Sequence, residues 1–94
     1  MKNNILSSDA EQDLYEIARY TLNNWGKKKF EEYKAGLESK FTSITKESYH
    51  KLFSEKFIDL YVTKYRYHFI FYILEEVQTP IILGVIHELR DIVN

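Results

Sequence analysis

The sequence predicts an α+β fold. An N-terminal strand and an antiparallel helix hairpin are expected, with the hairpin packed on one face of a mainly antiparallel three- to four-stranded sheet. Two patterns support this: apolar residues have helical spacing in the first half of the chain, and β-branched and aromatic residues dominate from residue 58 onward. The 94 residues show no change in composition that would mark a linker, so a single domain, 1–94, is expected.

The first two elements are predicted at the N-terminus. Residues 3–6 are expected to form a short strand. Ser8 and Glu11 have the spacing of a capping box, which places the start of the first helix there. Gly26 follows the last apolar position, as a left-handed cap would. The apolar face of this helix, with Trp25 expected in the core, consists of Leu14, Ile17, Ala18, Thr21, Leu22 and Trp25.

A second helix is predicted to begin at Lys27 or Lys28. Gly36 interrupts it at a cost of about 1 kcal/mol relative to Ala, and close packing against the first helix is the expected reason. Residues 45–56 fit either a continued helix or a loop. The apolar positions of the second helix are Phe30, Tyr33, Leu37, Phe41 and Ile44.

Three strands are predicted in the second half of the chain. A turn at residues 63–64 is expected to separate the first strand from the second. A polar turn at residues 75–80 is expected to separate the second strand from the third. The third strand covers residues 81–86. A short helix is expected at residues 87–94.

The strand at residues 67–74 is apolar on both of its alternating sets of positions. Strands of this kind usually have both faces covered. No third helix is predicted to cover the second face, so the sequence indicates a homodimer or a separate partner. The alternative is that aromatic side chains at a curved sheet edge fold back on one another.

The composition excludes several classes of site. The chain has no Cys, which rules out disulfides, thiolate metal sites and cysteine nucleophiles. His50 and His68 have no third ligand in pattern, so neither a metal nor another cofactor is expected. The net charge of −1 does not indicate direct, sequence-specific nucleic-acid binding. Neither a membrane span nor a signal peptide is visible, so a cytoplasmic protein is expected.

Three segments together resemble the ParE branch of the RelE/ParE toxin superfamily, the toxins of bacterial type II toxin–antitoxin pairs. The first runs from Leu6 to Gly26 and ends in Asn-Trp-Gly. The second is His-Phe-Ile-Phe-Tyr at residues 68–72. The third, residues 82–91, contains His87 and Asp91 in the spacing His-x-x-x-Asp. The chain departs from the family at residues 45–60, which lack its Pro- and Gly-Arg-containing loop.

The resemblance implies a RelE/ParE-like fold and a non-catalytic toxin that traps DNA gyrase on cleaved DNA. It also implies a ParD-like antitoxin, which would supply the missing cover of the sheet. Two alternatives remain: a ribosome-dependent messenger-RNA endonuclease, and an inactive relative kept for antitoxin binding. An endonuclease needs cationic side chains to stabilise the negative charge of the phosphorane intermediate. Residues 52–94 hold four basic and six acidic residues, and this net negative charge disfavours the endonuclease.

Candidate contacts with the target or antitoxin are basic and aromatic. A run of three Lys is ordinarily a solvated helix start. Cations are unfavourable at a helix N-terminus, however, so a contact with DNA-bound gyrase or an acidic antitoxin is kept as the alternative. The Tyr residues fit core packing, antitoxin docking or base stacking. Trp25, Gly26, His87 and Asp91 are predicted as a structural motif, with Asp91 fixing the final turn through His87. The contact candidates are Lys27, Lys28, Lys29, Tyr65, Arg66, Tyr67, Tyr72, His87 and Arg90.

Overall fold

The protein is described by a computed structural model over residues 5–76 and 79–89. The predicted α+β class, with two helices ahead of most of the sheet, is confirmed. No helix in these ranges is long and apolar enough to cross a membrane. The elements are β1 (Ile5–Leu6), α1 (Ser8–Trp25), α2 (Lys27–Ile44), β2 (Leu52–Ser54), β3 (Phe57–Tyr65), β4 (His68–Glu76) and β5 (Thr79–His87).

The described strands form one sheet in the order β1-β5-β4-β3-β2. β1 pairs parallel with β5, and the other neighbours are antiparallel. Within the described residues the sheet has five strands, one more than the predicted three to four. The extra strand, β2, has three residues and depends on pairing with β3, and such a short segment shows no recognisable alternation.

The start of α1 is capped by Ser7, one residue before the predicted capping box. The Ser7 hydroxyl accepts the Ala10 N–H at 3.0 Å and donates to the Leu83 carbonyl at 3.2 Å. The Ser7 N–H also donates to the Ile82 carbonyl, at 2.9 Å. One side chain therefore caps the helix and ties it to β5.

Gly26 is the only residue between α1 and α2. Its φ of 90° is a conformation that side chains disfavour, and its N–H donates to the carbonyls of Thr21 and Leu22 at 3.2 Å each. A glycine cap at Gly26 and the start of α2 at Lys27 are confirmed, but the ψ of 174° shows that Gly26 does not have the left-handed helical conformation that was predicted.

The core lies between the helices and one face of the sheet. Ile70 and Tyr72 of β4, the central strand, are 0% and 1% exposed. The Tyr72 hydroxyl is bonded to His50 Nδ1 at 2.7 Å, which gives this buried polar group a partner. The other core residues are Ala10, Leu37, Phe41, Ile44, Ile82 and Val85.

The opposite face of the sheet is apolar and is not covered by either helix. Cross-strand neighbours share a face, so the residues that alternate with the core positions point away from the helices. Phe71 on this face is only 8% exposed, because the rings of Phe53 and Phe69 pack against it at 5.1 and 6.4 Å. Aromatic side chains therefore cover part of the surface themselves. We call this side of the sheet the open sheet face, and its residues are Val62, Lys64, Phe69, Phe71, Ile73, Ile81 and Ile86.

Several local predictions differ from the structure. Trp25 is 65% exposed rather than buried, because α1 packs on the sheet through residues nearer its start, such as Ala10 and Asp13. The turn predicted at residues 63–64 lies at Arg66 and Tyr67 instead, with Arg66 at a φ of 51°. β3 continues through Lys64 because Thr63 and Lys64 pair with Ile70 and Phe69 of β4. The Lys64 ammonium group also lies 2.6 Å from a Glu88 carboxylate oxygen. The helix predicted at residues 87–94 begins as a turn after β5, and residues 90–94 are outside the described ranges.

Gly36 packs against β3 rather than against α1 as predicted. A Cβ at this position would overlap the Tyr65 hydroxyl, and the Tyr65 ring is itself packed on Tyr33 at 5.1 Å. We predict that Gly36→Ala lowers the free energy of unfolding by about 1–2 kcal/mol, because displacing the ring outweighs the gain in helix propensity. Urea denaturation measures this, with Ser39→Ala on the exposed side of α2 as the control. A Gly36→Ala protein as stable as the control would contradict the prediction.

Candidate functional site

A groove of about 910 Å³ lies between α1 and the end of the sheet where β3 turns into β4. Four parts of the chain build it: the exposed side of α1, the start of α2, the β3–β4 turn, and the end of β5 with the turn that follows. We call it the α1–β5 groove. Its lining includes Asp13, Glu16, Tyr20, Trp25, Lys29, Glu32, Tyr33, Tyr65, Arg66, Tyr67, His68, His87, Glu88 and Leu89.

The rim of the groove is made of exposed large side chains. Tyr20, Trp25 and Tyr67 are 62%, 65% and 57% exposed, and Leu89 is 83% exposed. Tyr and Trp offer large contact areas with little conformational freedom to lose, and they are enriched where proteins bind one another. This composition favours a protein-contact surface.

Two histidines form the inner wall of the groove. His68 and His87 are cross-strand neighbours on β4 and β5, and their ring centroids lie 5.1 Å apart. The Tyr33 hydroxyl lies 2.5 Å from His68 Nδ1 and 3.3 Å from the Tyr65 carbonyl oxygen. Burial, reinforced by His87, lowers the pKa of His68 to about 4, and burial raises the pKa of Tyr33 to about 12. Both His68 and Tyr33 are therefore uncharged at neutral pH.

His87 contacts both the backbone and the rim. Its Nδ1 accepts the Leu89 N–H at 3.1 Å, and its ring stacks on Tyr67 with the centroids 6.5 Å apart. The side chain thus holds the turn after β5 through a backbone N–H. Asp91, the partner suggested by the sequence, is outside the described residues, as is Arg90.

Acidic side chains outnumber basic ones along the groove. Asp13, Glu16, Glu32 and Glu88 contribute four carboxylates, against the cations Lys29 and Arg66. Lys64, on the open sheet face, holds the pKa of Glu88 below its usual range. An excess of carboxylates repels phosphate groups, so the groove favours a protein partner over a nucleic acid.

Asp13 connects α1 to the outer edge of β5. Its Oδ2 accepts the Val85 N–H at 2.9 Å. The pairing of β5 with β1 ends at Leu6 and Ile82, so a helix carboxylate replaces a strand neighbour for Val85. Sequence reasoning missed this contact, and its one local signal is a carboxylate placed directly before Leu14 on the apolar side of α1.

The structure brings five of the nine contact candidates together: Lys29, Tyr65, Arg66, Tyr67 and His87 line the groove. Lys27 and Lys28 are exposed at the start of α2 but do not line it. Tyr72 is in the core, so it is not a surface contact in the isolated chain. Groove residues that were not among the nine contact candidates include Asp13, Glu16, Tyr20, Glu32, Tyr33, His68, Glu88 and Leu89.

Comparison with known proteins identifies the family. The model of the family described as "ParE toxin of type II toxin-antitoxin system, parDE" matches residues 5–92. Toxin ParE of Escherichia coli is 30% identical over 91 residues, which make up 96% of this chain and 88% of that protein. The matched region includes both helices and all five described strands. This chain therefore belongs to the ParE toxin family of type II toxin–antitoxin systems.

Proposed function

We propose that this protein is a cytoplasmic toxin that inhibits DNA gyrase by direct contact, without catalysis, and so blocks replication. Its membership of the ParE toxin family supports this function. The observation that carries the proposal is the α1–β5 groove, which has exposed aromatic residues at its rim and an excess of carboxylates. Such a surface is suited to binding a protein rather than to cleaving a phosphodiester.

Purified gyrase with plasmid DNA provides the test. We expect the protein to inhibit supercoiling and to increase the amount of cleaved DNA held by gyrase. Trp25→Ala is expected to reduce potency by at least about tenfold, as loss of an interface anchor does. Tyr49→Ala, 77% exposed and outside the groove lining, is the matched control and is expected to retain full potency. If no inhibition occurs at any ratio of toxin to gyrase, the gyrase assignment is wrong.

A second experiment separates the proposal from the endonuclease alternative. Transcript ends are mapped after induction of the protein in cells. We expect an unchanged map together with arrested replication. New transcript ends in the presence of active gyrase would favour the endonuclease instead.

We further propose that a ParD-like antitoxin neutralises the toxin and covers the open sheet face. This face is apolar, and neither helix covers it. The isolated toxin is therefore expected to dimerise or aggregate, whereas co-expression with the antitoxin should give a discrete complex. Sedimentation of both preparations tests this. An isolated toxin that stays monomeric at high concentration would contradict the proposed role of this face.

A further inference from the structure

We infer that the Tyr33 hydroxyl is a positioning group for the α1–β5 groove. It holds the two-residue turn between β3 and β4 in a conformation that side chains disfavour, and this conformation presents Arg66 and Tyr67 at the groove. This role rests on the proposed function, because it makes the turn part of the surface that we propose for contact with gyrase. Tyr33 itself lies on α2 and is only partly exposed, so it acts through the turn.

The turn is strained at its first residue. Arg66 has a φ of 51°, and in the described parts of the chain it is the only residue other than glycine with a positive φ. Two-residue hairpin turns with a positive φ at the first position normally have glycine there, because a Cβ is crowded in this conformation. A residue in such a conformation persists only where its surroundings fix it. We therefore looked for the contacts that prevent this turn from relaxing.

Tyr33 contacts both ends of the turn. Its O–H donates to the carbonyl oxygen of Tyr65, the last residue of β3, at 3.3 Å. Its oxygen lies 2.5 Å from Nδ1 of His68, the first residue of β4. Because the single hydroxyl proton is used on the carbonyl, we assign the tautomer of His68 in which Nδ1 donates to the Tyr33 oxygen. One side chain on α2 thus bridges the two strands at the point where they join.

The backbone inside the turn is held as well. Burial raises the pKa of Tyr33, and this rise is opposed by the backbone N–H of Tyr67, which faces the hydroxyl oxygen. The Tyr67 carbonyl accepts the Glu88 N–H at 2.8 Å. The turn is therefore held from two sides, by Tyr33 of α2 and by the backbone that follows β5. Of these two contacts, only the one with Tyr33 depends on a side chain.

The side chains of the turn are part of the groove. Tyr67 is more than half exposed, and its ring stacks on His87. Arg66 Nε donates to the Tyr65 hydroxyl at 3.1 Å. A surface that is already fixed in its binding conformation loses less entropy when a partner binds. Loosening the turn should therefore weaken binding even when neither Arg66 nor Tyr67 is changed.

Tyr33→Phe tests this role, because it removes the hydroxyl and keeps the ring that packs on Tyr65. Backbone amide order parameters of Arg66 and Tyr67 are measured by NMR relaxation. We expect values of about 0.85 in the wild type, typical of a rigid backbone, and a fall toward about 0.6 in Tyr33→Phe. The potency of gyrase inhibition is expected to fall about three- to tenfold, because the turn must then be ordered during binding.

Tyr72→Phe is the matched control. The Tyr72 hydroxyl is likewise bonded to a histidine Nδ1, that of His50 at 2.7 Å, but it lies in the core and outside the groove lining. We expect Tyr72→Phe to lower the free energy of unfolding at least as much as Tyr33→Phe does, as measured by urea denaturation. Its turn order parameters and its potency should match the wild type, so a general loss of stability cannot produce the result expected for Tyr33→Phe.

Three results would overturn the inference. The first is a turn that stays as rigid in Tyr33→Phe as in the wild type. The second is a loosened turn with undiminished potency, given a wild type that inhibits gyrase. The third is an equal effect of Tyr33→Phe and Tyr72→Phe on the turn and on potency. If Tyr33→Phe does not fold, His68→Phe is measured in its place with the same expected direction, because it removes Nδ1 and keeps a ring.

The two readouts separate this inference from the proposed function. The order parameters need no gyrase, so they report on the turn whether or not the protein is an inhibitor. If the turn loosens in Tyr33→Phe but the wild type does not inhibit gyrase, the proposed function alone is wrong. If the wild type inhibits gyrase and the turn does not loosen, the positioning role alone is wrong.

Discussion

Replacing Ile70 with alanine is expected to lower the free energy of unfolding by about 2–5 kcal/mol. Ile70 is 0% exposed and lies on β4, which has a strand on each side. Its side chain is packed in the core, so truncation removes buried apolar surface and leaves a cavity that the neighbouring strands cannot close. Since domains of this size are stable by about 5–15 kcal/mol, this change removes a large share of the total.

Chemical denaturation of the Ile70→Ala protein provides the measurement. Ile58→Ala on β3 is the matched control, because Ile58 is 71% exposed and its truncation is expected to cost less than about 1 kcal/mol. If Ile70→Ala lowers the free energy of unfolding by less than about 1 kcal/mol, the side chain is not packed in the core as described.

Asp13→Ala is expected to lower the free energy of unfolding by about 1.5–3 kcal/mol, the range for losing a hydrogen bond to a charged group. The Val85 N–H would lose its acceptor, and Val85 is only 3% exposed. The α1 end of the groove would loosen from β5 at the same time.

Two measurements test the role of Asp13. Asp13→Asn keeps an acceptor oxygen but loses the charge, so we expect a smaller loss of stability than for Asp13→Ala. Hydrogen exchange at the Val85 amide should accelerate in the alanine variant. Glu16→Ala, three residues on and exposed, is the control. If Asp13→Ala and Glu16→Ala are equally stable, the Asp13 carboxylate does not contribute to the stability of the fold.

The helices were predictable because their signals are local. Spacing of apolar residues placed both helices, and Gly26 marked the boundary between them. The same spacing misplaced Trp25, because periodicity identifies a helix face but not where the sheet beneath it ends. Residues 63–64 resembled a turn by composition, but their pairing with Ile70 and Phe69 of β4 places them inside β3, and this pairing has no local signal in the sequence.

The groove was less predictable because it is assembled from distant segments. Five aromatic or basic candidates were found from residue type alone. The pairing of His68 with His87 is set by the register of β4 against β5, and the bond from Val85 to Asp13 spans 72 positions. Neither relation leaves a repeat or spacing in the sequence, so only the fold reveals them.

The position of β1 has a consequence for how the toxin is made in the cell. The earliest strand described pairs with the last one, and Ser7 and Asp13 bond to residues 82–85. During synthesis these N-terminal groups have no partners until residues 82–85 have left the ribosome. Because these contacts join distant segments, α1 and the sheet can complete their packing only after residues 82–85 are available.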